Sequence, residues 1–279
     1  MTDTVAETTP VHEAIEASCG KSQGSHIWYE LMTTDPDGAA RFYEAVIPGL
    51  AIGERPPGDQ DYRMLGRSDG GSLGGLFALT DEMCDHGARP IWMGYVGVDD
   101  VDAAVRQIDA RGGKALMPAF DIPQGRIAMV ADPQGHPFYV MKPVLPAGEE
   151  GKQSDVFSPT EEQRVAWNEL TTSDPDAARG FYGELFGWTS DEFMPMGELG
   201  EYRFFTHQGT MIGAVCRPGP DGSSRWRYYV RVPSISAAVK AVETSGGTVA
   251  MGPHEVPGGD CIIIGRDPQG AEFALVGKQ

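Results

Sequence analysis

The sequence predicts an α+β protein made of two tandem copies of one domain, each copy written as two βαβββ modules. Three observations carry this. The chain has 279 residues, more than one compact core usually holds. The stretch "WYELMTTDPDGAARFY", Trp28 to Tyr43, returns as "WNELTTSDPDAARGFY", Trp167 to Tyr182, with ten of sixteen positions identical. Between these landmarks, short runs of alternating apolar and polar residues are separated by helical stretches with clear start and stop signals.

The elements follow in order. Residues 26–33 alternate in the manner of a strand. Asp35-Pro36 then opens a helix that runs to about Val46, with Pro in the first turn, where a missing N–H costs nothing. Short strands are predicted near 50–54, 61–67 and 72–79. The order restarts with a strand at 91–98 and a helix at about 100–111, stopped by Gly112-Gly113. Strands near 114–118, 125–131 and 136–141 complete the first copy. The second copy repeats the plan, with a first strand at 165–172, a helix at 175–186 and a second half opening at strand 226–232.

The duplication extends beyond the opening window. "YRMLG" from Tyr62 is matched by "YRFFT" from Tyr202, and "IWMGYVGVDDVDAAV" from Ile91 by "RWRYYVRVPSISAAV" from Arg225. "DPQG" occurs at Asp132 and again at Asp267, before the last strand of each copy. The resulting division is a flexible leader at 1–24, domain 1 at 25–142, a Pro-, Gly- and acid-rich linker at 143–164, and domain 2 at 165–279.

Composition narrows the function. Apolar residues make up 41% and charged residues 22%, as in an ordinary globular protein. The formal charge of −18 repels phosphate backbones and anionic lipids, so nucleic acid and membrane are not expected partners. The four cysteines are scattered without paired spacing, and the first residues lack a secretory signal. A cytoplasmic protein is expected, either monomeric or a homodimer.

The first strand, the "DP…A..FY" helix, the GG-bounded second helix and the "DPQG" turn together resemble the vicinal oxygen chelate superfamily, which includes glyoxalase I, extradiol dioxygenases and bleomycin-resistance proteins. The resemblance covers nearly all of 26–142 and 165–277. It implies that paired modules curve their mixed sheets around a cup, and that metal enzymes of the family place one ligand on each of four strands facing into it. Transferred to this chain, those positions select Trp28, Met93 and Tyr139 in the first copy, and Trp167, Arg227 and Ala274 in the second. The remaining strand, 72–79 or 210–216, offers no acid and no His. None of these supplies a standard donor for a hard divalent cation, so no metal and no other cofactor is expected.

If Trp28 faces the cup, strand alternation brings Glu30 with it, and the same parity joins Trp167 to Glu169. Met93 and Tyr95 add to the first cup, with Tyr139. Arg227, Tyr229 and Arg231 add to the second. The expected ligand-binding set is therefore Trp28, Glu30, Met93, Tyr95, Tyr139, Trp167, Glu169, Arg227, Tyr229 and Arg231, with the indoles stacking on a flat or cationic organic molecule and the carboxylates pairing with it. Alternatively, the Trp fills the cup as core, and the arginines either clamp an anionic group or neutralise Glu169 across the sheet. Counting along the strand gives His26 the parity of Trp28, and a lone His at a strand start is expected at the surface. His136 and His207 fall near turns. With no nucleophile elbow and no deaminase signature, catalytic residues are left unassigned. Three functions remain open: a metal-independent small-molecule binder or atypical lyase, a glyoxalase I-like lyase or extradiol dioxygenase-like enzyme with displaced metal ligands, and an interaction protein whose cups are closed by their own aromatics.

Overall fold

A computed structural model describes residues 22–58, 60–145, 152–219 and 222–279. The expected leader falls almost wholly outside these residues, as does part of the expected linker. The first copy contains β1 (His26–Thr33), α1 (Pro36–Val46), β2 (Ala51–Ile52), β3 (Tyr62–Gly66), β4 (Ser72–Ala78), α2 (Asp81–Asp85), β5 (Ile91–Gly97), α3 (Val101–Ala110), β6 (Lys114–Ala115), β7 (Phe120–Ile122), β8 (Gly125–Ala131) and β9 (Pro137–Pro143). The second contains β10 (Val165–Thr171), α4 (Pro175–Phe186), β11 (Phe193–Pro195), β12 (Glu201–His207), β13 (Thr210–Cys216), β14 (Arg225–Ser234), α5 (Ile235–Thr244), β15 (Thr248–Val256), β16 (Asp260–Arg266) and β17 (Glu272–Lys278).

The long helices begin where side-chain caps satisfy the free N–H groups of the first turn. Asp35, Asp100, Asp174 and Ser234 each accept from a backbone N–H three residues on. The short helix α2 and strand β7 were not visible in the sequence, and the strand expected at 50–54 shrinks to Ala51–Ile52.

Each copy forms one mixed sheet. The first has the order β2-β3-β4-β1-β5-β9-β8-β6, with β7 on β8, and the second the order β11-β12-β13-β10-β14-β17-β16-β15. In both, the first strand runs parallel to the last strand of its own module and antiparallel to the strand opening the next. The four modules therefore pair within each copy. Close approach at these crossings requires glycine: a Cβ on Gly74 would run into the Tyr29 carbonyl, and one on Gly213 into that of Asn168.

The two faces of each sheet do different work. Tyr29, Leu31, Tyr43 and Phe138 of the first copy share one continuous core with Leu170, Tyr182, Trp226 and Phe273 of the second. The opposite faces hold two smaller, separate clusters, one per copy. The shared core is tied by reciprocal hydrogen bonds. Tyr43 donates to Asp267 Oδ2 at 3.0 Å, and Tyr182 donates to Asp132 Oδ2 at 3.0 Å. Trp92 and Trp226 donate in turn to the two tyrosine oxygens at 2.9 and 3.0 Å. Thus the repeated "FY" of each copy engages the repeated "DPQG" aspartate of the other.

A register shift between His26 and Trp28 corrects the parity expected for His26. The extra residue turns His26 into the shared core, only 7% exposed, with its ring stacked on Trp188 at 5.3 Å. It is not at the surface. Burial and the nearby His207 push its pKa down to about 3, so it is neutral at physiological pH. Among the described residues, no helix is long and apolar enough to cross a membrane.

Candidate functional site

Alternation along β1 sends Tyr29 and Leu31 to the shared core and Trp28, Glu30 and Met32 to the opposite, cup face. Cross-strand register then determines the neighbours: Trp28 lies opposite Tyr95, Glu30 opposite Met93, and Tyr95 beside Tyr139 on the next strand. Tyr95 and Tyr139 stack with ring centres 4.3 Å apart. Tyr95 donates to Glu30 Oε2 at 2.9 Å. From the other side, Trp28 Nε1 donates to the Tyr62 hydroxyl at 2.8 Å, and Tyr62 also hydrogen-bonds Glu30. Gly75 makes room for that hydroxyl, because a Cβ there would collide with it.

Glu30 is 3% exposed and forms no ion pair among the described residues. Burial drives its pKa up to about 7, against the opposing pull of the Tyr95 and Tyr62 hydrogen bonds. The carboxyl therefore sits near its titration point at neutral pH. Burial and the neighbouring carboxylate raise the pKa of Tyr62 and Tyr95, which keeps both as hydrogen-bond donors. The rest of the cup face is soft and apolar: Met32, Met93 and Met141 are packed against Ile127, with Phe77 and Met129 partly buried beside them. Trp28 is only partly buried, and Met64, which shares the face of Tyr62, is 46% exposed.

The second cup repeats the relay and differs in charge. Trp167 Nε1 donates to the Tyr202 hydroxyl at 2.8 Å, and Tyr202 donates to Glu169 Oε2 at 2.7 Å. Here Arg227, standing where Met93 stands in the first copy, donates to Glu169 Oε1 at 2.6 Å, and Tyr229 donates to the same oxygen at 3.2 Å. Arg227 also holds Glu272 at 2.9 Å, so its guanidinium is paired with two carboxylates. Arg231 does not join this group: it pairs with Asp260 at 2.8 Å and donates to the Pro159 carbonyl. Of the two roles open to the arginines, the geometry shows Arg227 neutralising Glu169 across the sheet.

The donor set does not suit a divalent cation. Among the described residues no three His, Cys, Asp or Glu side chains converge. In the first cup a lone carboxylate is surrounded by phenols, an indole and thioethers, which are poor ligands for hard ions.

Tyr62 and Tyr202 were missed in reading the sequence, although their signal was present: "YR" recurs at the same place in both copies. A second group was missed for want of any signal. His136 Nδ1 lies 2.7 Å from Asp132 Oδ2, and His136 Nε2 lies 2.8 Å from Ser224 Oγ, a residue 88 positions away. His136 and Ser224 border a cleft of about 270 Å³ between the copies.

Duplicated βαβββ modules that pair into one mixed sheet per copy define a protein of the vicinal oxygen chelate superfamily. Residues 28–141 and 167–276 match the Glyoxalase-like domain model, and the chain belongs to that family. It is 29% identical over 257 residues to a Mycobacterium bovis protein named "Putative glyoxylase CFP32", covering 91% of this chain and 95% of that one. It is also 28% identical over 272 residues to the anthracycline biosynthesis protein DauV of Streptomyces sp. strain C5, covering 91% and 93%. Solved structures of similar fold include the 2,3-dioxygenase LapB of Pseudomonas sp. KL28, with a TM-score of 0.58, 13% identity and coverage of 90% and 91%. A Mn(II)-bound glyoxalase from Novosphingobium aromaticivorans gives a TM-score of 0.58 at 16% identity, covering 91% and 82%.

Proposed function

We propose that the first cup binds a flat aromatic organic molecule carrying a cationic or hydrogen-bond-donating group, and that the second cup is structural. The single observation behind this reading is the contrast between Glu30 and Glu169. Both accept phenol hydrogen bonds, but among the described residues only Glu169 has a cation, Arg227. A buried carboxyl without a counter-charge is a group that a ligand can complete. Beside it the partly buried indole of Trp28 offers a face to a planar ring, and the packed Tyr95, Tyr139, Met32, Met93 and Met141 are the side chains that would shift to admit one. The acidity of the whole chain favours approach of a cationic ligand. Relatives named for anthracycline biosynthesis accord with a planar polycyclic ligand.

Binding does not require a resident metal in this reading, since the donor set of the cup does not fit one. Equilibrium titration with a polycyclic aromatic amine such as proflavine tests it. Trp28→Ala should weaken binding at least tenfold, about 1.4 kcal/mol, while Trp167→Ala leaves it unchanged. Equal loss in both variants, or in neither, refutes the assignment. So would stoichiometric Zn, Fe or Mn retained by chelator-treated protein and lost on Glu30→Gln, an outcome that favours a lyase or dioxygenase with displaced ligands.

A further inference from the structure

We propose that Ser224, His136 and Asp132 form a nucleophile, base and orienting acid at the cleft between the two copies, and that this site hydrolyses small esters. It lies apart from Trp28 and Glu30 of the first cup, although Arg227 and Glu272 of the second cup also line the cleft.

The order of contacts fits the task. Asp132 Oδ1 accepts the backbone N–H groups of Gln134 and His136, and its Oδ2 accepts the Tyr182 hydroxyl at 3.0 Å. An aspartate bonded this fully is held in place as an acceptor. It therefore takes the Nδ1 proton of His136 at 2.7 Å, leaving the Nε2 lone pair aimed at Ser224 Oγ at 2.8 Å. Asp132 and His136 are 2% and 3% exposed, while Ser224 is exposed on the cleft, as a nucleophile must be. Among the described residues the Ser224 hydroxyl has one competing acceptor, the Thr171 carbonyl, at the longer distance of 3.2 Å.

The duplication supplies the internal control. The corresponding residues of the other half are Asp267, Ala271 and Pro90. Asp267 keeps the structural role, capping its turn and accepting from Tyr43. The tie between copies thus needs the aspartate alone, yet one half adds a His and a Ser in hydrogen-bonding sequence. Both halves contribute to the same cleft, which Pro90 and Gly270 line together with Ser224 and Gly135. Arg225 also lines it and brings positive charge to its wall, with Nη1 held by Glu272 at 3.2 Å.

In the reaction, Ser224 Oγ bonds to the ester carbonyl carbon as its proton passes to His136 Nε2. The bond to the alkoxide then breaks, and that proton leaves with it as the alcohol. Water next attacks the acyl carbon, giving its proton to Nε2, and the carboxylic acid departs as Ser224 recovers its proton. Ester and water become acid and alcohol, with no other reactant.

The test uses the full-length protein with p-nitrophenyl acetate and, separately, with diisopropyl fluorophosphate followed by intact mass and peptide mapping. One adduct at Ser224 is expected, together with ester hydrolysis that falls at least 100-fold in Ser224→Ala. Because Ser224 is exposed, that variant should keep the wild-type melting temperature. Ser224→Cys should recover acyl transfer and show a pH profile set by one base, which His136→Gln abolishes. An adduct elsewhere, no adduct, or hydrolysis unchanged in Ser224→Ala overturns the proposal. Failure here leaves the cup reading intact, since Trp28 and Glu30 lie on a different face.

Discussion

Replacing Glu30 by Gln should make the protein more stable above neutral pH, and the structure sets the size of the effect. The Glu30 pKa rises from 4.5 to about 7 on folding, because burial penalises the charged form. The folded state therefore holds a proton that the unfolded chain has released between those two values. Stability must fall as pH rises through that window, by about 2 to 3 kcal/mol between pH 5 and 8.5. Gln keeps the shape and the acceptor oxygen without the charge, so the variant should lack this loss. His26 acts in the opposite sense: its pKa is depressed from 6.5 to about 3, so it withdraws stability as pH falls. The two trends overlap in the wild type, and only the difference between proteins isolates Glu30. Urea unfolding of both at pH 5 and pH 8.5 measures it. The advantage of Glu30→Gln should grow by about 2 to 3 kcal/mol at the higher pH. An advantage that does not change with pH would refute the reasoning and return Glu30 to solvent.

Two further outcomes follow from the same geometry. His26→Phe, which keeps a ring against Trp188 and removes a buried nitrogen with no partner among the described residues, should flatten the loss of melting temperature between pH 6.5 and 4. Arg227→Met copies the first cup into the second and strands Glu169, costing about 3 to 5 kcal/mol by chemical denaturation, and adding Glu169→Gln should recover most of it.

Much of this was legible along the chain, and the reasons differ by element. Asp-Pro and Gly-Gly punctuation made the long helices readable, because capping is a local matter. The placing of Trp28 with Glu30, and Trp167 with Glu169, follows from the period of two in a strand. His26 was misjudged because one inserted residue reverses that period, and a bulge leaves no mark in the residue types. Partners brought by other strands were harder. Tyr62 reaches Glu30 from 32 positions away, and only its recurrence as Tyr202 hinted at a role. The charge difference between the cups could be read from Met93 and Arg227, but which acid Arg227 would neutralise depended on register. Ser224 and His136 meet only because the copies pack against each other, and no spacing rule reaches across that boundary.

The crossed tyrosine-to-aspartate bonds have a consequence for how such a chain can change. Each half closes its own helix on a turn that belongs to its sibling, so neither can be released as a working unit without opening both ends of the bargain. Drift is freer on the surfaces facing away from the seam, and there the halves have parted company: one face is closed by ion pairs, the other is greasy and holds a carboxyl without one among the described residues.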